Sequence, residues 1–447
     1  MFAVLLIGSL LSMYVAPALV LAPALVVWAL VGGVILFSYP YVNLLVLLGA
    51  CALLLESRPG IQISEAVVGP YLLLYLAHWY ARQAILGRAL VSSWVDVAML
   101  LFVLGGFVWG IGMGVVHRAE VGDMQGDVLS FLFFGLYFPV RDACASVPRA
   151  PWAIGAILLW YASYAVLYNV YWLWYTVTSA TALWQIVDVR TNLGELPIMT
   201  AALILLAMVG LNQSWRRRLL VVLAFGVIFG GLILTKSRGY WVAFFLGALI
   251  VGVLLSRREL LRLTTISLLS VAGLTFAMLT VFKTYATLII AGTFTRFETL
   301  QTAATQDISL LNRFVESGAV WERIMVNPIA GSGFGTTYRF FDIIAYFTKD
   351  TAFIHNGYLA IWYKLGVLGL LLAVAVWLGT ISRGAAAIRR DSLPRTVTAL
   401  CVGAVASLVA GLLVAITSNP FAEIDTVLTM TLTLALVNGV ADRSRTR

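Results

Sequence analysis

The chain is expected to fold as an all-α polytopic integral membrane protein of about 12–14 transmembrane helices, with one long loop containing amphipathic helices. Three observations lead there. Hydrophobic residues make up 62% of the 447 positions and charged residues 11%, with a mean hydropathy of +0.97, more apolar than a soluble core of this length needs. Apolar segments recur at about 17–25 residues, the length that crosses a hydrocarbon core of about 30 Å as a helix. Alternating ten-residue strands are missing from the pattern, which excludes an outer-membrane barrel.

The elements follow in order. Met1 to Ala16 lacks a basic leading region and runs directly into another apolar segment, so it reads as a retained span rather than a signal peptide. Candidate spans start near Phe2, Leu19, Val42, Glu65, Trp94, Asp127, Trp152, Leu196, Leu219, Tyr240, Leu261, Gly357, Val397 and Ile424. Basic clusters punctuate them at Arg82–Arg88, Arg216–Arg218, Arg257–Arg258, Arg383–Arg395 and Arg443–Arg447. Short loops rich in Lys and Arg face the cytoplasm, so these clusters set the orientation and place both termini inside. The net charge of +9 is a topology signal: no soluble segment interleaves aromatic and basic residues as base stacking would need, so nucleic acid is not an expected partner.

Opposite those clusters lie His117–Asp127, Asp188–Glu195, Lys236–Arg238 and a long stretch from Lys283 to His355. Three parts result: an N-terminal helix bundle over 1–282, a loop unit over 283–355 and closing helices over 356–447. In the loop, Leu310, Leu311, Phe314, Trp321, Ile324 and Met325 recur at helical spacing, with Arg313, Glu316, Glu322 and Arg323 on other faces. This predicts an amphipathic helix on the membrane surface. Asn327-Pro328 stops it, and Gly331-Ser332-Gly333-Phe334-Gly335 follows as a flexible turn. Tyr338–Phe347 reads as a second amphipathic stretch of the same character.

Few groups here can carry chemistry. His355 opens a helix at the end of the long loop, and an imidazole titrates near operating pH, which suits a general base. Asn356 is placed to orient it. The competing reading is a helix cap formed by the pair. Arg238 stands at the N-terminus of the next span, where free N–H groups and a guanidinium fork together suit a pyrophosphate, and Lys236 adds a point charge. The competing reading there is a Lys and Arg pair snorkelling at the interface. Arg190 lies in a similar outer turn, either binding an anion or pairing with Asp188 or Glu195. Arg313 and Arg339 are weaker candidates in a solvated loop. Cys51, Cys144 and Cys401 lie far apart in or beside apolar segments and read as small buried hydrophobes. The glycine-rich turn has no preceding strand to make it a dinucleotide site, and no metal-ligand spacing is visible among the acids and histidines.

Three elements carry a resemblance. His355-Asn356, nine residues, then Gly366 and Gly369, preceded by Arg313, Trp321, Pro328 and the glycine turn, resemble the bacterial O-antigen ligase and polymerase superfamily. Ser237-Arg238-Gly239 is similar to an arginine element of that family, with Lys236 as a departure before it, and Arg190-Thr191-Asn192-Leu193-Gly194 resembles its upstream arginine turn.

The resemblance implies a glycosyltransferase C-like enzyme of the inner membrane with a periplasmic site and no cofactor. It would move glycan from undecaprenyl pyrophosphate onto an acceptor hydroxyl, with His355 as base and Arg238 and Arg190 holding the pyrophosphate. The ligase reading, with lipid A-core as acceptor, stands first. A polymerase and a protein O-oligosaccharyltransferase are the alternatives within the superfamily, the latter disfavoured by the missing soluble C-terminal portion. A transporter or flippase of lipid-linked glycans is the alternative from a different class.

Overall fold

The computed structural model describes residues 37–54, 63–179, 193–211, 214–255, 257–281, 308–390 and 393–445, together with Gly33 and Thr191. The spans expected from Phe2 and Leu19, the candidate Arg190 and the first part of the long loop lie outside the described residues. Fourteen α-helices are described: α1 (Pro40–Ala50), α2 (Ile63–Ile85), α3 (Trp94–Val116), α4 (Val121–Leu132), α5 (Tyr137–Ser146), α6 (Ala150–Ser179), α7 (Glu195–Leu211), α8 (Trp215–Leu234), α9 (Arg238–Leu254), α10 (Arg257–Val281), α11 (Ile308–Val326), α12 (Gly357–Arg389), α13 (Arg395–Val414) and α14 (Ile424–Arg443). Each expected span start within the described residues falls in or within a few residues of a helix start. Seven helical segments are long and apolar enough to cross a membrane, α4 and α5 counting as one, and α1, α7 and α9 are shorter apolar helices. The chain is an all-α polytopic membrane protein.

The centre of the bundle is α14, nearly all of it buried, packed on α5, α12 and α13. Between membrane helices apolar surface gives little net drive, so small residues and hydrogen bonds bring the backbones together. Gly403 of α13 lies directly against the Ile204 backbone of α7, and Thr200 and Ser407 hydrogen-bond across the same pair at 2.6 Å. Two buried threonines of α14 find acceptors in the preceding turn, Thr426 at Glu423 and Thr433 at Thr429.

The arginine-rich end is tied together by buried charge. Arg141 of α5 pairs with Asp96 of α3 at 2.6 Å and approaches Asp442 of α14 at 3.7 Å. Arg383 of α12 also pairs with Asp442, Ser92 donates to Asp442 at 3.0 Å, and Tyr137 donates to Asp96 at 2.8 Å.

At the opposite end the long loop folds back on the bundle. α11 forms as its spacing predicts, and its apolar residues Phe314, Trp321 and Met325 remain exposed, in keeping with a helix on a membrane surface. The second amphipathic stretch is not helical. Tyr338–Asp342 and Phe347–Thr351 are strands β1 and β2 of an antiparallel hairpin. Burial in β1 alternates with period two, Tyr338 and Phe340 inward and Arg339 and Phe341 outward, so the run satisfies a pleated strand better than a helix. Lys349 reaches back to Asp342, and that contact with the Ala345 N–H holds the Asp342 carboxyl down at about 2. Val320, Ile324, Tyr338, Phe340, Ile354, Ala360 and Tyr363 form a small second core that fastens α11 and the hairpin to the start of α12.

Candidate active site

His355 ends the hairpin unit at the head of α12. Its Nδ1 lies 2.8 Å from Oε2 of Glu316. An ionised carboxylate only accepts, so Nδ1 carries the proton and Nε2 keeps its lone pair. Glu316 is 2% exposed, whereas the imidazole is 40% exposed. The other carboxylate oxygen accepts from the Tyr338 hydroxyl at 2.7 Å, and burial beside Glu316 pushes the Tyr338 phenol up, so it stays a donor. The ring of Phe353 packs edge-on against the imidazole at 5.0 Å. The ring is thus held in place by buried partners and presents its free nitrogen at the surface of the site.

The cap belongs to Asn356, not to the histidine. Its side chain accepts from the Leu359 N–H at 3.0 Å, satisfying one of the open amides of the first turn. The Gly357 N–H donates to Ala415, and Asn419 donates to the Ile354 carbonyl at 2.8 Å. The turn between α13 and α14 therefore grips the chain on both sides of His355.

The spacing from this pair to the first glycine has a physical reason. α12 is interrupted at Gly366, where φ is 71° and ψ −179°, a region essentially confined to glycine. The interruption leaves carbonyls of the preceding turn unpaired, and the glycine turn fills the gap: Ser332 N–H donates to Tyr363 at 2.6 Å and Gly333 N–H to Lys364 at 2.9 Å. Gly331, Gly333 and Gly335 all have positive φ. Gly333 abuts the backbone of Gly114 in α3, and Phe334 packs on Gly110. Asp127 accepts from the Gly335 N–H at 2.8 Å and pairs with Lys364; His117 contacts the Ser332 carbonyl at 2.8 Å. The expected flexible turn is instead a fixed wedge between α3 and α12.

Arg238 is the first residue of α9, as expected, and is half-buried. Lys236 is 2% exposed and adopts φ 53°, so it makes the tight reversal between α8 and α9 and is less open to a ligand than Arg238. Thr191 donates to Leu234 at 3.3 Å, bringing the start of α7 to this reversal. Gly239 lies against Thr417, and Tyr240 hydrogen-bonds Ser418. The same 415–423 turn thus contacts both the Arg238 helix end and the His355 helix end, which places these candidates around one feature. Arg339 is not drawn in: it is exposed and makes a two-bond pair with Asp350 across the hairpin. Arg313 lies on α11 one turn before Glu316, half-buried.

Residues 223–374 match the family model described as O-antigen ligase. This match supports membership of the O-antigen ligase/polymerase superfamily. The stretch that matches this O-antigen ligase model contains Lys236, Arg238, α11, the hairpin, His355, Asn356, Gly366 and Gly369, while Arg190 lies upstream of it. No curated protein matches the chain.

Within the matched segment, Glu316 is the candidate residue that the sequence pattern hid. It reads there as part of a polar helix face, but Asn312, Glu316, Val320 and Ile324 are the buried residues of α11. A carboxylate among those four-residue steps is the signal that was available. A second group was also hidden: Glu195, Glu423 and Asp425, far apart in sequence, meet near Tyr240. Desolvation of its carboxyl, with Asp425 and Glu195 close by, pushes Glu423 up, although part of the side chain remains exposed.

Proposed function

We propose that the protein is an O-antigen ligase that transfers glycan from undecaprenyl pyrophosphate to a sugar hydroxyl of lipid A-core. On this reading it lies in the inner membrane with His355 and Arg238 facing the periplasm and both termini in the cytoplasm. The bundle over 1–282 would carry the donor site, the unit over 283–355 would shape the catalytic pocket, and the helices over 356–447 would close it. The observation that carries the reading is the His355–Glu316 pair, standing around the same turn as the Arg238 helix terminus, within a segment that matches the ligase family model.

The chemistry follows from these groups. His355 Nε2 takes the proton of the acceptor hydroxyl as the oxygen forms its bond to the anomeric carbon. The bond from that carbon to the pyrophosphate oxygen breaks, and the electron pair leaves with the pyrophosphate. Glu316 stabilises the imidazolium that forms and keeps the ring oriented. Arg238, the N–H groups of the α9 terminus and Arg190 neutralise the leaving group, with Lys236 adding charge from the reversal. A single displacement inverts the anomeric centre. Asn356 shapes the loop around the base through its cap.

The test is reconstitution in liposomes with an undecaprenyl-pyrophosphate glycan and two competing acceptors, rough lipopolysaccharide and a second lipid-linked repeat. Glycan appearing on the lipopolysaccharide is the expected result. Growth of the lipid-linked chain alone would make the protein a polymerase, and movement of intact donor across the bilayer without transfer would make it a flippase.

A further inference from the structure

A cavity of about 1000 Å³ opens at the end of the hairpin, two residues before His355. Phe353 is one of its walls and is the same ring that packs on the imidazole. The outer wall includes Leu73 and Phe107, and Leu73 is exposed on the side of the bundle. The charged lining is mostly carboxylic, with Asp123 at an exposed position, Asp127, and Glu423 with Asp425, beside the neutral Gln125, Ser130 and Thr351. Among the described lining residues Lys364 is the one cation, and Asp127 already pairs with it. Arg238 and Lys236 are not part of this lining.

A phosphate placed here would meet four carboxylates against a single cation that Asp127 already engages, while hydroxyl groups would find acceptors among those carboxylates. Aromatic rings such as Phe353 and Phe107 suit the C–H face of a pyranose. The charges thus divide the two substrates: the cationic reversal at Arg238 suits pyrophosphate, and the carboxylate-lined cavity suits something else.

We propose that this cavity is the acceptor subsite and that the sugar seated in it is uncharged, carrying neither phosphate nor carboxylate. The inference rests on the transferase reading above. It predicts discrimination by charge at the reacting sugar itself, regardless of how charged the remainder of the acceptor is.

The experiment uses two synthetic acceptors with one alkyl tail, an alkyl glucoside and its 6-phosphate, with an undecaprenyl-pyrophosphate glycan as donor. The neutral acceptor is expected to have a KM at least about tenfold lower. Asp123→Lys, at an exposed position that leaves the fold intact, should narrow that gap by lowering the KM of the phosphorylated acceptor, with the donor KM unchanged. Equal KM values in the wild type, or a preference for the phosphate, overturn the assignment while leaving transferase activity standing. A second arm measures binding of a fluorescent alkyl glucoside to nanodisc-embedded His355→Ala protein, which cannot turn over. Leu129→Trp fills the cavity and should abolish that binding; retained binding also overturns the assignment. Binding that is lost on filling, with no transfer by the wild type to either acceptor, refutes the transferase reading and leaves a neutral-saccharide site.

Discussion

At the arginine-rich end of the bundle, charged residues are consumed by one another. Arg141, Asp96, Asp442 and Arg383 are paired, largely buried and supported by Ser92 and Tyr137. At the other end, the partners of each ionisable group are arranged to leave one function open. Glu316 is buried while His355 is half-exposed, and Arg238 heads a helix beside a turn shared with the His355 loop. Both ends bury charge in a medium that penalises it. The difference is that a closed network locks helices together, whereas an open one fixes a group towards a ligand.

The contrast can be broken experimentally, beginning where the effect should be largest. His355→Ala should lower transfer by about 10²–10⁴-fold, the range for a general base, without loss of folded protein; wild-type O-antigen ladders in a ligase-deficient strain would remove His355 from the mechanism. Arg141→Leu at the closed end should instead cost about 3–5 kcal/mol of stability by stranding Asp96. Thermal unfolding in detergent would show this, and the protein that remains folded should keep its donor KM. An altered donor KM would mean the two ends are coupled.

Glu316→Gln should reduce kcat by about 10–100-fold, as loss of an orienting carboxylate does elsewhere, with donor KM retained and partial recovery in Glu316→Asp. A purely structural role predicts instead lower yield with unchanged kcat. Arg238→Lys keeps the charge but loses the two-pronged fork, so a loss of about tenfold in kcat/KM is expected; normal kinetics would reduce Arg238 to a point charge.

The smallest effect concerns pH. The folded state raises the Glu423 carboxyl from its ordinary 4.5 to about 8, so it favours the protonated form. That contribution is fully present below 4.5 and is lost as pH rises through about 8. Melting temperature should therefore fall between pH 5 and 8, and Glu423→Gln should flatten that part of the profile. An unchanged slope would show that Glu423 is not the titrating group.

Much of the fold is legible in the chain because membrane spans depend on local composition. Trp94, Gly357 and Ile424 are helix starts in the sequence reading and in the structure alike. The Tyr338–Phe347 run is the exception: ten residues of mixed polarity fit either period, and the choice fell to the small core under Tyr338 and Phe340. The site is legible only in part. His355 and Arg238 stand at helix ends marked by loops and charge, but Glu316 carries no local mark beyond its place on one face of α11.

Sequence alone determined the polytopic helical class, the segregation of basic loops and the family motif, and pointed to the two leading candidate residues, since hydropathy, charge and short motifs act over neighbouring residues. Tertiary structure decided which carboxylate holds His355, why nine residues separate the histidine pair from Gly366, and which distant acids meet at the cavity. Those outcomes depend on burial and on hydrogen bonds between segments far apart in the chain, where a buried polar group takes whatever partner packing brings to it.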